Sequence, residues 1–412
     1  MPRKLIEIEE ARRLVLERAA PLGAEPVPLR EALGRVLAED ARSTEPVPGF
    51  DNSAMDGFAV RAADTRGASA ESPVELALAD ESRAGTPASS ALKQGQAIAI
   101  STGAMVPAGA DAVVRVEDTA GRDGRVEITV EVEPGRDIRR AGEDISPGTT
   151  VIERGTTIGP AELGVLASLA IPEPSCTRRP RVAVLGTGDE LIEPDQPSRP
   201  GSVRNTNSYA VPALASDAGA EVISVDSVGD DAAATRSAIE GMLEADLAVI
   251  CGGVSVGEHD HVRPALEQLG AVQLFWGVAL RPGRPTWFGT SPGGGLVLGV
   301  PGNPVSAVVT FILFARPAIR AMLGADPNAA RLTAILDEDY EKPPGRAHAV
   351  RCSLSSGEDG LHAQPTGPQG SHMLTSMLGA DGLAFVPTAS EGARAGDRIE
   401  VELLPGGLRS PR

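Results

Sequence analysis

The sequence predicts a multidomain chain of α/β plus β class: a parallel α/β sandwich domain flanked by mostly-β segments. Three observations predict it. The chain has 412 residues, more than a single core of ordinary size can organise. Between 177 and 325, fully apolar runs (RVAVL, DLAVIC, GLVLGV) alternate with helical patterns, as parallel strands covered on both faces do. On either side, short alternating runs are separated by turn residues, which reads as β-structure.

In chain order, Ile8, Ala11, Leu14, Val15, Ala19 and Leu22 recur at helical spacing over 8–22. A second short helix fits 29–38, and STEPVPGF then breaks the pattern. Residues 46–134 form a mostly-β domain from PVELAL, QAIAIS, DAVVRVED and RVEITVEV. Residues 135–176 are loop-rich, then helical from Pro160, whose ring suits the first turn. Packed back on the N-terminal helices, they make one discontinuous domain of 1–45 and 135–176. In 177–325 the strands RVAVL, EVISVDSV, DLAVIC, AVQLFWGV and GLVLGV alternate with helices, and NPVSAVVTFILFARPAIRAML closes the run, interrupted at Pro317. Residues 326–412 return to short strands (LTAILDEDY, HAVRCSLS, GLAFVPT, RIEVELL), a small C-terminal β-barrel or sandwich.

Composition narrows the chemistry. The formal charge is −18, which argues against nucleic acid as a partner. Any anionic ligand therefore needs local positive charge or a metal ion. No run of about 18 apolar residues is present, so no membrane span is expected. Three distant cysteines without a CxxC pair fit a reducing cytoplasm. Of 38 basic residues only Lys4, Lys93 and Lys342 are lysines. There is no GKS or GKT phosphate loop, and anion recognition falls to arginine.

Ligands bind open α/β sheets at the carboxyl ends of the strands. Here RVAVL runs into GTGDEL, DLAVIC into GGVSVGEHD and GLVLGV into PGNPVS. GTGDEL is no dinucleotide fingerprint, because Leu191 stands where a third glycine belongs. In PGNPVS, Asn303 suits a helix cap and Pro304 the first turn, which by itself fits an ordinary capped helix and also fits an anion site on the following N–H groups. Gly252, Gly253 and Gly257 let backbone approach a ligand closely. His259 and His261 flank Asp260 without a zinc spacing. Asp260 with a second carboxylate suits Mg²⁺ shared with phosphates; equally, Asp260 suits the cap of the next helix, as do Asp230 and Asp231 of theirs. Arg281 and Arg284 flank a Pro-Gly turn, and further basic pairs are Arg139–Arg140 and Arg346 with Arg351.

Together SAMDG, RRAGED, GTGDE, GGVSVGEHD, RPGRP and PGNPVSA, in this order over nearly the whole chain, resemble the MoeA family, whose eukaryotic relative is the gephyrin E domain. The resemblance implies four domains: an elongated discontinuous domain, the β insert, an α/β domain like the molybdopterin adenylyltransferase fold, and a C-terminal β-barrel. It implies a transferase of molybdenum cofactor biosynthesis. Adenylyl-molybdopterin and molybdate would be the substrates, Mg²⁺ the cofactor, and AMP a product. A homodimer with transient contact to the adenylyltransferase is implied as well. Catalytic carboxylates are expected at Asp56, Asp144, Asp230 and Asp260, the last two holding Mg²⁺. Substrate contacts are expected at Ser53 and Arg140, at Gly186, Thr187, Gly188 and Asp189, and at Gly252, Gly253 and Ser255. Arg281, Arg284, Pro301, Gly302, Asn303 and Ser306 extend that set, and Arg351 and Ser371 would collect molybdate. Asp56, enclosed by apolar neighbours, would move protons, while Asp51 and Asn52 fix its loop and Gly57 permits a tight turn. The chain departs from the family in having Arg281 and Arg284 where lysines are common, Gly277 where some relatives have lysine, Cys251 before GGVS, Phe58 for a common Tyr, and His261 at a usual aromatic position. Two other functions fit parts of the pattern: an ATP-using molybdopterin adenylyltransferase, and a non-catalytic gephyrin-like scaffold.

Overall fold

The structure, a computed structural model, describes residues 5–255, 260–404 and 406. Gly257, Glu258 and His259 of GGVSVGEHD lie outside the described residues.

The α/β region holds a six-stranded sheet in the order Glu221–Val228, Arg181–Thr187, Leu247–Cys251, Leu296–Val300, Trp287–Thr290, Val272–Trp276. The central strands are apolar throughout: every residue of Leu247–Cys251 and Leu296–Val300 is buried. The sheet departs from the all-parallel expectation at one strand. Trp287–Thr290 runs antiparallel to both neighbours, because the turn SPGGG is short enough to join a hairpin but not a crossover. The expected helices are present as Asn207–Asp217, Ala232–Met242 and Val262–Gln268.

The closing helix spans Pro304–Met322 and is long and apolar enough by composition to cross a membrane, but 83% of its most apolar 18-residue stretch is buried inside the fold. It widens into a π-helical turn at Phe311–Ala315, immediately before Pro317. A proline has no N–H to donate to the carbonyl four residues back, which here is Leu313. The Arg12 Nε donates to that carbonyl instead, at 3.2 Å.

The first helix, Ile8–Leu16, buries Ile8, Ala11 and Val15 in the α/β core, beside Phe314 and Ile319. A different core unites Val27, Leu37 and Ala41 with Ile145, Ile152, Ile158 and Leu166. Helix Pro160–Ser168 belongs to this second core rather than to the first helix. The second helix expected over 29–38 shrinks to a 3₁₀ turn at Leu29–Glu31. Gly34 has a φ of +76°, and Val36 and Leu37 form bridges to Thr157 and Cys176, so the backbone goes into strand-like pairing.

The β insert is a mixed six-stranded sheet, ordered Ala112–Arg115, Gly57–Val60, Gln96–Ile100, Val74–Ser82, Arg125–Ile128, Thr119–Arg122. At the C-terminus, Ala347–Gly357, Gly360–Pro365, Arg331–Leu336, Arg398–Leu403 and Gly382–Val386 close on themselves as a five-stranded barrel. Strand Leu280–Arg281 of the α/β region pairs in parallel with the barrel, Leu280 opposite Ala347 and Arg281 opposite His348. This seam fixes barrel and α/β sheet against each other.

Candidate active site

The strand connections reverse direction between Arg181–Thr187 and Leu247–Cys251, and it is outside the carboxyl ends at such a reversal that open α/β sheets form their ligand crevice. Gly252 and Gly253 have φ of +96° and +62°. A Cβ on Gly252 would stand 2.8 Å from Thr187 Oγ1, and one on Gly253 would stand 2.5 Å from Val262 Cγ2. These glycines therefore serve both the turn and the close approach of backbone. Thr187 Oγ1 faces the Cys251 carbonyl at 3.4 Å. Asn207 Nδ2 donates to the Gly302 carbonyl at 2.8 Å, joining the PGNP turn to the first crossover helix. Its Oδ1 and the neighbouring Ser208 Oγ are buried without a partner among the described residues.

The acidic residues at this edge divide by role. Asp231 is the cap of helix Ala232–Met242 and accepts from the Ala234 N–H at 2.7 Å. Asp230 is exposed, its N–H donates to Asp189 Oδ1 at 3.0 Å, and its carboxylate has no bond among the described residues. His261 holds the cap position of helix Val262–Gln268 without a side-chain bond, while the Asp260 carboxyl faces the Val262 and Arg263 N–H groups of its first turn. Both Asp260 oxygens are buried, and among the described residues neither accepts a hydrogen bond of good geometry. Burial pushes this carboxyl up to about 6, against the opposing pull of the Arg263 and Val262 N–H groups. A buried, unsatisfied carboxylate costs stability unless a cation or donor completes it. Among the described residues no cluster of three or more His, Cys, Asp or Glu could cage a metal. The donor set thus suits a hard cation that keeps waters and substrate oxygens as its other ligands, as Mg²⁺ does.

The PGNP helix start is less open than expected. Asn303 occupies the cap position without a side-chain bond. Pro304 has no N–H, and the Val305 N–H donates to the Ser371 carbonyl at 3.1 Å. Within the helix, bonding starts at Ala307, whose N–H donates to Asn303. The anion site expected from these N–H groups is therefore partly filled by the barrel loop. Pro301 and Ser306 are buried, whereas Gly302, Asn303 and Ser255 are exposed.

At the seam, Arg281 and Arg284 are exposed and Arg346 is half-buried. Burial, together with the guanidinium groups of Arg281 and Arg284, holds Arg346 below the ordinary arginine range. His348 is pushed down to about 4 by burial first, then by Arg281, Lys342 and Arg346. Arg351, expected to collect molybdate, is instead fully buried. Its Nε donates to Ser376 Oγ at 3.1 Å, and its two terminal nitrogens donate to the Gln369 and Gly370 carbonyls at 3.4 and 3.3 Å. Arg351 thereby holds the loop that brings Ser371 to the helix start.

A second group lies in the β insert and the segment after it. Strand Asn52–Ser53 pairs with Ile138–Arg139, which brings SAMDG beside RRAGED. Asp51 accepts from Arg140 at 2.6 Å and from the Ala141 N–H at 2.8 Å, so its bonds bridge the two motifs rather than staying local. Arg140 is therefore committed to Asp51. Ser53, expected to meet substrate, is buried and bonds the Met55 carbonyl at 2.5 Å. Gly57 lies in a strand rather than a turn, and a Cβ there would stand 2.0 Å from the Val114 carbonyl. Asp56 and Asp144 are exposed. Asp56 accepts from the Thr102 N–H at 2.7 Å, and the enclosure expected around it is absent among the described residues. Exposed Phe50, Met105 and Val116 lie close along the chain or across the pairing from this face. No hydrogen bond or ion pair among the described residues joins Asp56 or Asp144 to the crevice.

Residues 6–170 match the family model described as MoeA N-terminal region (domain I and II). Residues 183–321 match "Probable molybdopterin binding domain", and residues 333–404 match MoeA C-terminal region (domain IV). The chain belongs to the MoeA family. Among its MoeA-type relatives, the molybdopterin molybdenumtransferase of Haemophilus influenzae is 36% identical over 404 residues, covering 97% of this chain and 98% of the relative. Molybdopterin molybdenumtransferase 2 of Mycobacterium tuberculosis is 37% identical over 404 residues, covering 96% and 98%. The crystal structure of the MoeA protein from Pyrococcus horikoshii superposes with a TM-score of 0.83 at 32% identity, covering 97% of this chain and 100% of that one.

Within this MoeA framework, sequence reasoning missed Thr102, Asn207 and His348. Thr102 acts through its backbone N–H, which no motif records. Asn207 follows an unremarkable RNT, and only its contact to the PGNP turn marks it. His348 stands in a plain strand pattern, and its cationic neighbours come from elsewhere in the fold.

Proposed function

We propose that this chain inserts molybdenum into adenylylated molybdopterin, with Mg²⁺-dependent hydrolysis of the adenylyl anhydride and release of AMP. The single observation that carries the reading is Asp260 at the switch point, whose two carboxylate oxygens are buried and, among the described residues, accept no hydrogen bond of good geometry. Asp260 and Asp230 would hold Mg²⁺. When bound, the ion neutralises phosphate charge and lowers the cost of anhydride cleavage.

The chain's own residues supply the rest. Gly252 and Gly253 let backbone N–H groups reach the ligand, with Thr187 and Asp189 flanking them. Arg281 and Arg284 offer planar forks to phosphate or molybdate oxygens, and the Ser371 loop closes the far side. Water adds at the adenylyl phosphorus and the P–O bond of the anhydride breaks. AMP and the phosphate of molybdopterin then leave as separate anions. Both substrates are anionic, so positioning and charge neutralisation dominate.

Asp56 and Asp144 act in this reading from a second copy of the chain in a homodimer. The exposed Phe50, Met105 and Val116 near Asp56 support it, since an apolar rim of this kind suits coverage by another surface. We place the reaction in the cytoplasm, with the adenylyltransferase as transient supplier; the three buried free thiols fit a reducing compartment. The four-domain division of the notional boundaries 1–45 with 135–176, 46–134, 177–325 and 326–412 belongs to the same proposal.

The test is incubation with adenylyl-molybdopterin, Mg²⁺ and molybdate, following AMP and the molybdenum-loaded product. Molybdate-dependent AMP release supports the reading. Consumption of ATP with molybdopterin would favour the adenylyltransferase, and absence of turnover a scaffold.

A further inference from the structure

Trp276 ends the edge strand Val272–Trp276 and is half-buried against the core that holds Val254, Val262 and Leu266. Its indole Nε1 donates to the Val254 carbonyl at 2.8 Å. Its ring carries a guanidinium: Arg263 Cζ lies 5.1 Å from the ring centroid. One indole therefore touches the chain on both sides of Asp260, at Val254 before it and at Arg263 after it. No motif read from the sequence includes Trp276 or Arg263.

Arg263 stands three residues after Asp260, the spacing at which side chains meet across one helical turn. Its charge does act on Asp260 and favours the ionised carboxyl. Yet no hydrogen bond joins the two side chains. Among the described residues the Asp260 oxygens have no donor of good geometry, and the buried Arg263 Nε has no acceptor. A guanidinium that forgoes a carboxylate one turn away needs another attraction. The indole face supplies it, because a planar, weakly hydrated cation is drawn to the negative face of an aromatic ring.

We infer that Trp276 is a positioning residue for the crevice chemistry: it parks the Arg263 guanidinium and so keeps Arg263 from closing on Asp260. Without the ring, Arg263 swings onto the carboxylate and fills its oxygens with N–H donors, in the fork geometry that suits such a pair. The oxygens that a cation or a substrate donor would meet are then taken. The inference rests on the role given to Asp260 in the proposed function.

The test compares the full chain with its W276L, W276F, R263M and W276L/R263M variants, by AMP release from adenylyl-molybdopterin, thermal melting and crystal structure. W276L is expected to slow AMP release ~10-fold or more, with Arg263 bonded to Asp260 in its crystal structure. W276F keeps a ring face without the N–H. It is expected to hold Arg263 stacked and to release AMP near the wild-type rate. W276L/R263M is expected to regain most of the rate that W276L loses, and R263M alone to stay close to wild type. A double variant no faster than W276L overturns the inference, since lost packing then accounts for W276L. W276L with Arg263 still clear of Asp260 overturns it as well. So does R263M slowed as far as W276L is expected to be, a result that decides the matter even where W276L does not fold. If the wild type releases no AMP, the proposed function fails, whereas the position of Arg263 in W276L still decides whether Trp276 parks it.

Discussion

Arg12 donates through Nε to the carbonyl of Leu313 at 3.2 Å, the carbonyl that Pro317 leaves without its helical donor. The same guanidinium reaches Glu402 of the barrel, at 2.7 and 2.5 Å to the two carboxylate oxygens. Arg331 adds a longer contact of 3.4 Å to Glu402. One side chain thus ties the first helix, the closing helix of the α/β region and the barrel together, which keeps the seam in register.

Replacing Arg12 by methionine leaves Glu402 buried at 1% exposure with only the Arg331 contact. Loss of one member of a buried pair costs ~3–5 kcal/mol. R12M is expected to fall in that range by denaturant unfolding. R12M/E402M is expected to be less destabilised than R12M alone, because no uncompensated charge remains.

His362 gives the fold a pH dependence. Its Nε2 and Nδ1 lie 2.7 Å from Asp359 and Asp337 respectively. These hydrogen bonds, Asp359's first, raise its pKa above the ordinary 6.5. The contribution to stability is therefore full below pH 6.5 and is lost as pH rises through the raised folded value. Proton NMR of the His362 ring is expected to titrate above 6.5, and D359N to move the midpoint down.

Asp230 and Asp231 are adjacent but separable. D231A removes the cap bond to Ala234 and is expected to cost ~1 kcal/mol of stability. D230A touches no side-chain bond and is expected to leave melting unchanged while lowering AMP release. Equal stability losses in both variants would contradict the division.

The homodimer proposal predicts complementation. D56N and D260N, each inactive alone, are expected to recover roughly a quarter of wild-type AMP release when their subunits are mixed and reassorted. No recovery after exchange, verified by mass spectrometry of the mixed dimers, counts against a site shared between copies.

What was legible in the sequence follows from how local the cause is. GTGDE, GGVS and PGNPVS end apolar strands, so the strand period alone places them at one edge of a sheet. SAMDG and RRAGED meet only because strand Asn52–Ser53 pairs with Ile138–Arg139, which no local pattern encodes. Burial is equally invisible. Ser53 and Arg351 sit in or near recognisable motifs, yet both are enclosed and bonded internally. The antiparallel strand of the α/β sheet, Trp287–Thr290, was hidden because its apolar residues look like those of a parallel one. Arg346 joins Arg281 and Arg284 only through docking of the barrel.

The central claim is that Asp260 supports hydrolysis of the adenylyl anhydride at the switch point. Single-turnover release of AMP from adenylyl-molybdopterin, with Mg²⁺ and molybdate, tests it most directly in the wild type and D260N. The wild type is expected to release AMP in proportion to molybdate, and D260N to be slower by ~10²-fold or more with unchanged melting. A folded D260N that releases AMP at the wild-type rate would contradict the claim.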